Sequence, residues 1–118
     1  MAAMSSDCLF CKIVAGEIES TVVYQTDRVL AFRDLSPQAP THVLVIPKDH
    51  HQDAAALGAA DPELAGQVLA AAAEVAKVDG VDSSGYRLVF NTGKDANQTV
   101  QHAHLHVLGG RGLEWPPG

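Results

Sequence analysis

Half of the six histidines in this 118-residue chain fall within one short stretch, QHAHLHVLGG, at every second position: His102, His104 and His106. On an extended strand, alternate residues project from the same side about 6.6 to 6.8 Å apart, so three imidazoles share one face. Ala103, Leu105 and Val107 share the other, as core residues would. A helix would set residues two apart about 200° from each other, and Gly109-Gly110 would end it early. The spacing therefore predicts a strand over this stretch. Neutral imidazole is a nucleophile, a general base and a metal ligand near pH 7, its ordinary pKa being about 6.5. Three readings follow: a metal site, a histidine nucleophile tuned by its neighbours, or a solvated polar strand face.

Other residues have chemistry to offer. Cys8 and Cys11 are the only cysteines, too few for a disulfide scaffold, and read as half of a zinc site, a redox pair or two plain thiols. Redox chemistry is the weaker reading, because a thioredoxin-like Cys-x-x-Cys follows a strand and only seven residues precede Cys8. Zinc would take two further ligands from His50, His51 and His102. Asp34, just before Leu35-Ser36-Pro37, reads as a turn-forming carboxylate or as an acceptor for sugar hydroxyls. His42 reads as a core histidine held by hydrogen bonds. Thr92 to Thr99, TGKDANQT, is a polar loop in which Gly93 allows backbone N–H groups to converge on an anion.

The elements that must position these groups are short strands and one long helix. Thr21 to Thr26 and Val29 to Arg33 read as a hairpin around Asp27-Arg28. His42-Val43-Leu44-Val45-Ile46, stopped by Pro47, reads as a central strand buried on both faces, and Tyr86 to Asn91 as a fourth strand. Asp61 as N-cap, Pro62 at the first helical position and Gly80 after the end frame a helix over 62–78. Leu64, Val68, Leu69, Ala72, Val75 and Ala76 form its apolar stripe. A shorter helix is expected from about His51 to Leu57.

Length and a 47% hydrophobic composition fit one domain, from residue 7 to 118, behind a flexible segment 1–6. The net charge of −6 argues against general nucleic-acid binding. Neither a leader-like apolar run nor a membrane-length one is present, which gives the expectation of a cytoplasmic protein off the membrane.

His102-Ala103-His104-Leu105-His106-Val107, continued by Leu108-Gly109-Gly110-Arg111, closely resembles the signature of the histidine triad superfamily. The final Trp115-Pro116-Pro117-Gly118 is similar to the end of its nucleotide-binding, phosphoramidase-type branch. The resemblance extends over DCLFCKIVAGEI, LAFRDLSPQAPTHVLVIPKDH and the Asn91-Thr92-Gly93 loop, almost the whole chain. It implies an α+β fold: an antiparallel sheet of about five strands, one long helix, a short N-terminal helix, and a sheet continued across a homodimer. It implies a base pocket of Leu9, Phe10, Ile13, Phe32 and Leu35, with Asp34 accepting the ribose hydroxyls and a preference for purines. Gly93, Asn91, Gln98 and Thr99 would hold the phosphate, Thr99 standing where the superfamily usually has Ser.

The same resemblance makes His104 the nucleophile toward the α-phosphorus of a nucleoside 5′-phosphoramidate, with a nucleoside monophosphate as product. His106 would bond a phosphate oxygen, and His102 would orient the strand or hold metal. His42 would lie close to the triad. Some members carry structural zinc, which maps here onto Cys8, Cys11, His50 (or His51) and His102; no catalytic metal is implied. Trp115 would touch the partner chain near its active site. Three alternatives stand beside this reading. They are a dinucleoside polyphosphate hydrolase of the same superfamily, a noncatalytic nucleotide-binding or scaffolding dimer, and a metal-dependent hydrolase using all three histidines as ligands.

Overall fold

The computed structural model describes residues 7–117; the expectation for segment 1–6 lies outside them. The chain is α+β, with helix α1 (Leu9–Val14), strands β1 (Val22–Gln25), β2 (Val29–Arg33) and β3 (Thr41–Pro47), helices α2 (Ala54–Ala60) and α3 (Pro62–Val78), and strands β4 (Tyr86–Phe90) and β5 (Leu105–Gly109). One antiparallel sheet runs in the order β1-β2-β3-β5-β4. Among the described residues no helix is long and apolar enough to cross a membrane.

The alternation along β3 explains why every one of its residues is buried. Val43 and Val45 join Val29, Ala31, Leu105 and Val107 on the face covered by α3. Leu44 and Ile46 join Leu30 and Phe32 on the opposite face, against Phe10, Cys8 and Cys11 of the N-terminal segment. A strand covered on both sides favours apolar residues, which is why Val43 to Ile46 form an unbroken apolar run, while the two buried polar residues before it, Thr41 and His42, are hydrogen-bonded. The three histidines belong to the second face, beside the thinner cover, while Ala103, Leu105 and Val107 enter the main core.

Helix α3 has the predicted bounds because both ends are locally satisfied. The Asp61 carboxylate accepts the Leu64 N–H at 3.1 Å and Pro62 occupies the first turn. At the other end Gly80 takes φ +72°. There the Gly80 N–H donates to Lys77 O and the Val81 N–H to Ala76 O, the paired bonds of a Schellman ending. Asp79, an acid at the end where a negative charge is unfavourable, is retained by other work: it binds the Arg33 guanidinium through both oxygens and accepts the Thr41 hydroxyl. This network fastens α3 to β2 and β3.

The bounds of five elements differ from expectation, two of them by a single residue at an end: β3 takes in Thr41 and Pro47, and β4 stops at Phe90. The first strand is shorter, Val22–Gln25, because its pairing with β2 slips between Val22 and Tyr24. The short helix starts at Ala54, capped by Asp53 accepting the Ala56 N–H at 2.8 Å, so His50 and His51 stay outside it. The histidine strand begins only at Leu105. Upstream, the neighbouring strand ends in Pro47, which has no N–H to pair and whose carbonyl is taken by the His102 side chain; the Ala103 N–H turns instead to His51 O at 2.8 Å. His102, in a bend, and His104 thus precede β5 on the stretch leading into it.

Candidate active site and metal centre

The first group of ligand atoms joins the N-terminal segment to the first histidine of the run. The Sγ atoms of Cys8 and Cys11 and one ring nitrogen each of His50 and His102 lie within 4.8 Å of one another. His102 Nδ1 is 3.3 Å from Cys8 Sγ, 3.6 Å from Cys11 Sγ and 3.2 Å from His50 Nδ1, and His50 Nδ1 is 3.3 Å from Cys11 Sγ. A tetrahedral zinc with sulfur at about 2.3 Å and nitrogen at about 2.0 to 2.1 Å sets S···N edges near 3.6 Å and N···N edges near 3.3 Å. The spacings in the chain match these edges.

The tautomer fits as well. Pro47 O can only accept, so His102 Nε2–H donates to it at 2.9 Å, and the lone pair remains on Nδ1, facing the thiols. Such an outer bond is what orients a metal-binding imidazole. Burial pushes His102 down to about 4, which keeps the ring neutral. The donor set therefore suits structural zinc, and it selects His50; His51 instead contributes its backbone carbonyl to Ala103.

The second group is a chain of imidazoles whose proton positions can be read from fixed backbone groups. His104 Nδ1–H donates to His102 O at 2.7 Å, a bond only a protonated Nδ1 can make, so the lone pair sits on Nε2. Burial lowers the His104 pKa, favouring this neutral form. The Gln38 N–H donates to His42 Nδ1 at 3.0 Å. Neutral His42 then carries its proton on Nε2, and donates it to His106 Nδ1 at 2.9 Å. His106 is left with Nε2–H as a donor. Burial, helped by its histidine neighbours, pushes His106 down to about 4. Burial also lowers His42, although the nearby Asp34 carboxylate, 3.5 Å from Nε2, opposes this. Because the His42 Nε2 proton is already committed, the cluster of Asp34, His42 and His106 is a hydrogen-bond relay and not a set of metal donors.

Three of the four catalytic candidates, His104, His106 and Thr99, face one pocket, whereas His102 lies with the cysteines and His50. His104 and His106 line it together with Leu9, Phe10, Ile13, Phe32, Asp34, Leu35 and Thr99, all anticipated from the sequence. Their rings lie 5.1 Å apart, centroid to centroid, and Phe10 stands edge-on to His104 at 5.1 Å and to Phe32 at 5.6 Å. Asp34 makes the turn its sequence context suggests, Oδ1 accepting the Ser36 N–H at 2.7 Å, and it also borders the pocket.

Sequence reasoning overlooked Ile18, Glu19, Ser20, Arg33, Leu44 and Val100, which also line the pocket. Ile18 to Ser20 carry no signal in their residue types, and Leu44 is legible in the sequence only as a member of the central strand buried on both faces. Asn91, Gly93 and Gln98 do not line it. Their donors are spent on protein oxygens: Asn91 Nδ2 on Ala96 O and the Gly93 N–H on Gln98 Oε1 within the loop, and Gln98 Nε2 on Val100 O and on Gln52 O of the segment before α2. Trp115 is 83% exposed at the far end of the chain, whose Glu114 carbonyl accepts from Arg87 of the edge strand β4.

Comparison with known proteins shows the family. The chain belongs to the HIT domain family, whose model matches residues 15–113. A 14 kDa zinc-binding protein of Zea mays is 49% identical over 115 residues, covering 96% of this chain and 89% of that protein. The crystal structure of a HIT family hydrolase from Legionella pneumophila is 50% identical with a TM-score of 0.91, covering 95% of this chain and all (100%) of that one. A HIT family hydrolase from Clostridium thermocellum is 40% identical with a TM-score of 0.90, covering 93% of this chain and 96% of the other.

Proposed function

We propose that this chain is a nucleotide-binding hydrolase that cleaves purine nucleoside 5′-phosphoramidates, or related nucleoside monophosphate conjugates, through a nucleotidyl-histidine intermediate. The observation that carries the reading is the orientation of His104, whose Nδ1–H is held by His102 O while its Nε2 lone pair belongs to a ring lining an apolar pocket. In the first step that lone pair attacks the α-phosphorus, a P–Nε2 bond forms, and the P–N bond to the leaving amine breaks as the amine departs with a proton taken from solvent, which the attacking water of the second step returns. Water then attacks phosphorus and releases the nucleoside monophosphate, returning neutral His104.

The His102 carbonyl favours the positive imidazole that exists while phosphorus is attached. His106 Nε2–H and the Thr99 hydroxyl serve the phosphate oxygens in this reading, because the donors of Asn91, Gly93 and Gln98 are engaged by oxygens of the loop and of Gln52. Holding attacker, phosphorus and leaving atom in line is the larger contribution to rate. The base lies between Leu9, Phe10, Ile13 and Phe32, and Asp34 accepts the ribose hydroxyls.

Zinc bound by Cys8, Cys11, His50 and His102 ties α1, a wall of the pocket, to the histidine run and takes no part in the reaction. A homodimer formed along the exposed edge of β4 continues the sheet and gives Trp115 a partner surface, which fits the large exposed indole and the half-exposed Leu88 and Tyr86. The unit is one histidine triad domain from residue 7 onward, acting in the cytoplasm on a small soluble ligand.

The test is steady-state turnover of adenosine 5′-phosphoramidate by wild type, His104→Ala and His104→Asn, with zinc measured on each preparation. Asn can still donate to His102 O, so it controls for folding. The expected result is a loss of at least about a thousandfold in kcat for both variants with adenosine monophosphate binding retained. Turnover that survives in either variant would remove His104 as nucleophile.

A further inference from the structure

The rim of the pocket carries a carboxylate that the reaction does not need. Glu19 lines the pocket beside Ile18 and Ser20, and among the described residues its carboxylate has no hydrogen-bond or ion-pair partner. The cation bordering the same pocket, Arg33, is bound through both ends of its guanidinium to Asp79 and does not neutralise it.

Topology places Glu19 at the end of the pocket remote from the histidines. Ile18 to Ser20 lead into β1, the outermost strand, whereas His106 is on β5, and β2 and β3 lie between them. Three interstrand steps of about 4.8 Å separate the two sides by about 14 Å. Asp34 follows β2 and falls between. A nucleotide with its phosphorus at His104 and its ribose at Asp34 therefore directs its base toward β1, and the part of the base that reaches Glu19 is its outer, hydrogen-bonding edge. This step rests on the nucleotide reading of the pocket given above.

We propose that Glu19 is a specificity-determining residue that makes the pocket prefer guanine. A carboxylate is acceptor-only, with two parallel oxygens. Guanine presents two adjacent donors on that edge, N1–H and N2–H, and satisfies both oxygens. Hypoxanthine presents N1–H alone. Adenine presents the unprotonated N1 next to its amino group, so a lone pair faces one carboxylate oxygen. The order of affinity is GMP, then IMP, then AMP. Leu9, Ile13 and Phe32 contact base faces and do not distinguish among the three.

The experiment is calorimetric titration of the full-length protein with GMP, IMP and AMP, repeated on Glu19→Gln and Glu19→Ala. Ratios between nucleotides are the readout, because removing a negative charge beside an anionic ligand shifts all three alike. GMP is expected to bind wild type about five- to tenfold tighter than AMP, a modest factor for a solvent-exposed carboxylate, with IMP between them. Glu19→Ala brings the three within about twofold, and Glu19→Gln, which keeps one acceptor, loses most of the preference. Equal affinities in wild type, or a guanine preference that survives in Glu19→Ala, would overturn the role of Glu19 and leave the nucleotide pocket standing. Failure of all three nucleotides to bind would overturn the pocket reading and this proposal with it.

Discussion

At the scale of single residues the chemistry is decided by which nitrogen carries each proton. Spacing in the sequence showed that three imidazoles would share a face, and that much was legible. Their tautomers were not, because they are set by groups distant in sequence: Pro47 O for His102, and the Gln38 N–H acting through His42 for His106. The only local determinant is His102 O, which orients His104 two residues on. Since burial holds His106 at about 4, well below the ordinary 6.5, the ring stays neutral across the physiological range. The sign is that protonation would remove the relay from His42, so activity is full above the lowered value and falls as pH drops through it. The acid limb of kcat/KM against pH should therefore lie near 4 to 5 and not near 6.5. A limb at 6.5 would mean that the rings are hydrated and charged.

At the scale of elements, legibility followed local self-sufficiency. Helix α3 could be bounded from Asp61-Pro62 and Gly80 because its ends are satisfied by residues adjacent in sequence. The start of β5 could not, because it depends on Pro47 and His51, more than fifty positions earlier in the chain. Nor did anything announce that Asp79 would anchor α3 to Arg33 and Thr41. The Arg33 guanidinium holds Asp79 below the usual carboxylate range. Its contribution is therefore complete above the unfolded value of about 3.9 and is lost as pH falls through the lower folded value. Asp79→Asn should cost about 1 to 2 kcal/mol at pH 7, allowing for the part-exposed Arg33, as measured by urea unfolding. The difference from wild type should shrink toward pH 3. A difference that stays constant with pH would show that the ion pair is not what Asp79 supplies.

At the scale of the whole molecule, two cores on opposite faces of one sheet divide the labour. The larger, under α3, supplies stability, and the smaller joins Phe10 and the cysteines to the histidine run. The resemblance of almost the whole chain to one superfamily carried the fold, but only the folded chain brings His50, and not the His51 ring, together with the two cysteines and His102. Removing zinc with a strong chelator should lower the thermal midpoint by several degrees and increase protease access at α1, with the α3 core still folded. An unchanged midpoint for demonstrably zinc-free protein would make the cluster a set of plain hydrogen bonds. The central claim, that His104 becomes covalently nucleotidylated, is tested most directly by rapid mixing with excess adenosine 5′-phosphoramidate, quenching at alkaline pH and intact-mass analysis with peptide mapping. A transient adenylyl adduct is expected on His104 in wild type and none in His104→Asn. Turnover without any adduct, or an adduct mapped to His106 or His102, would contradict it.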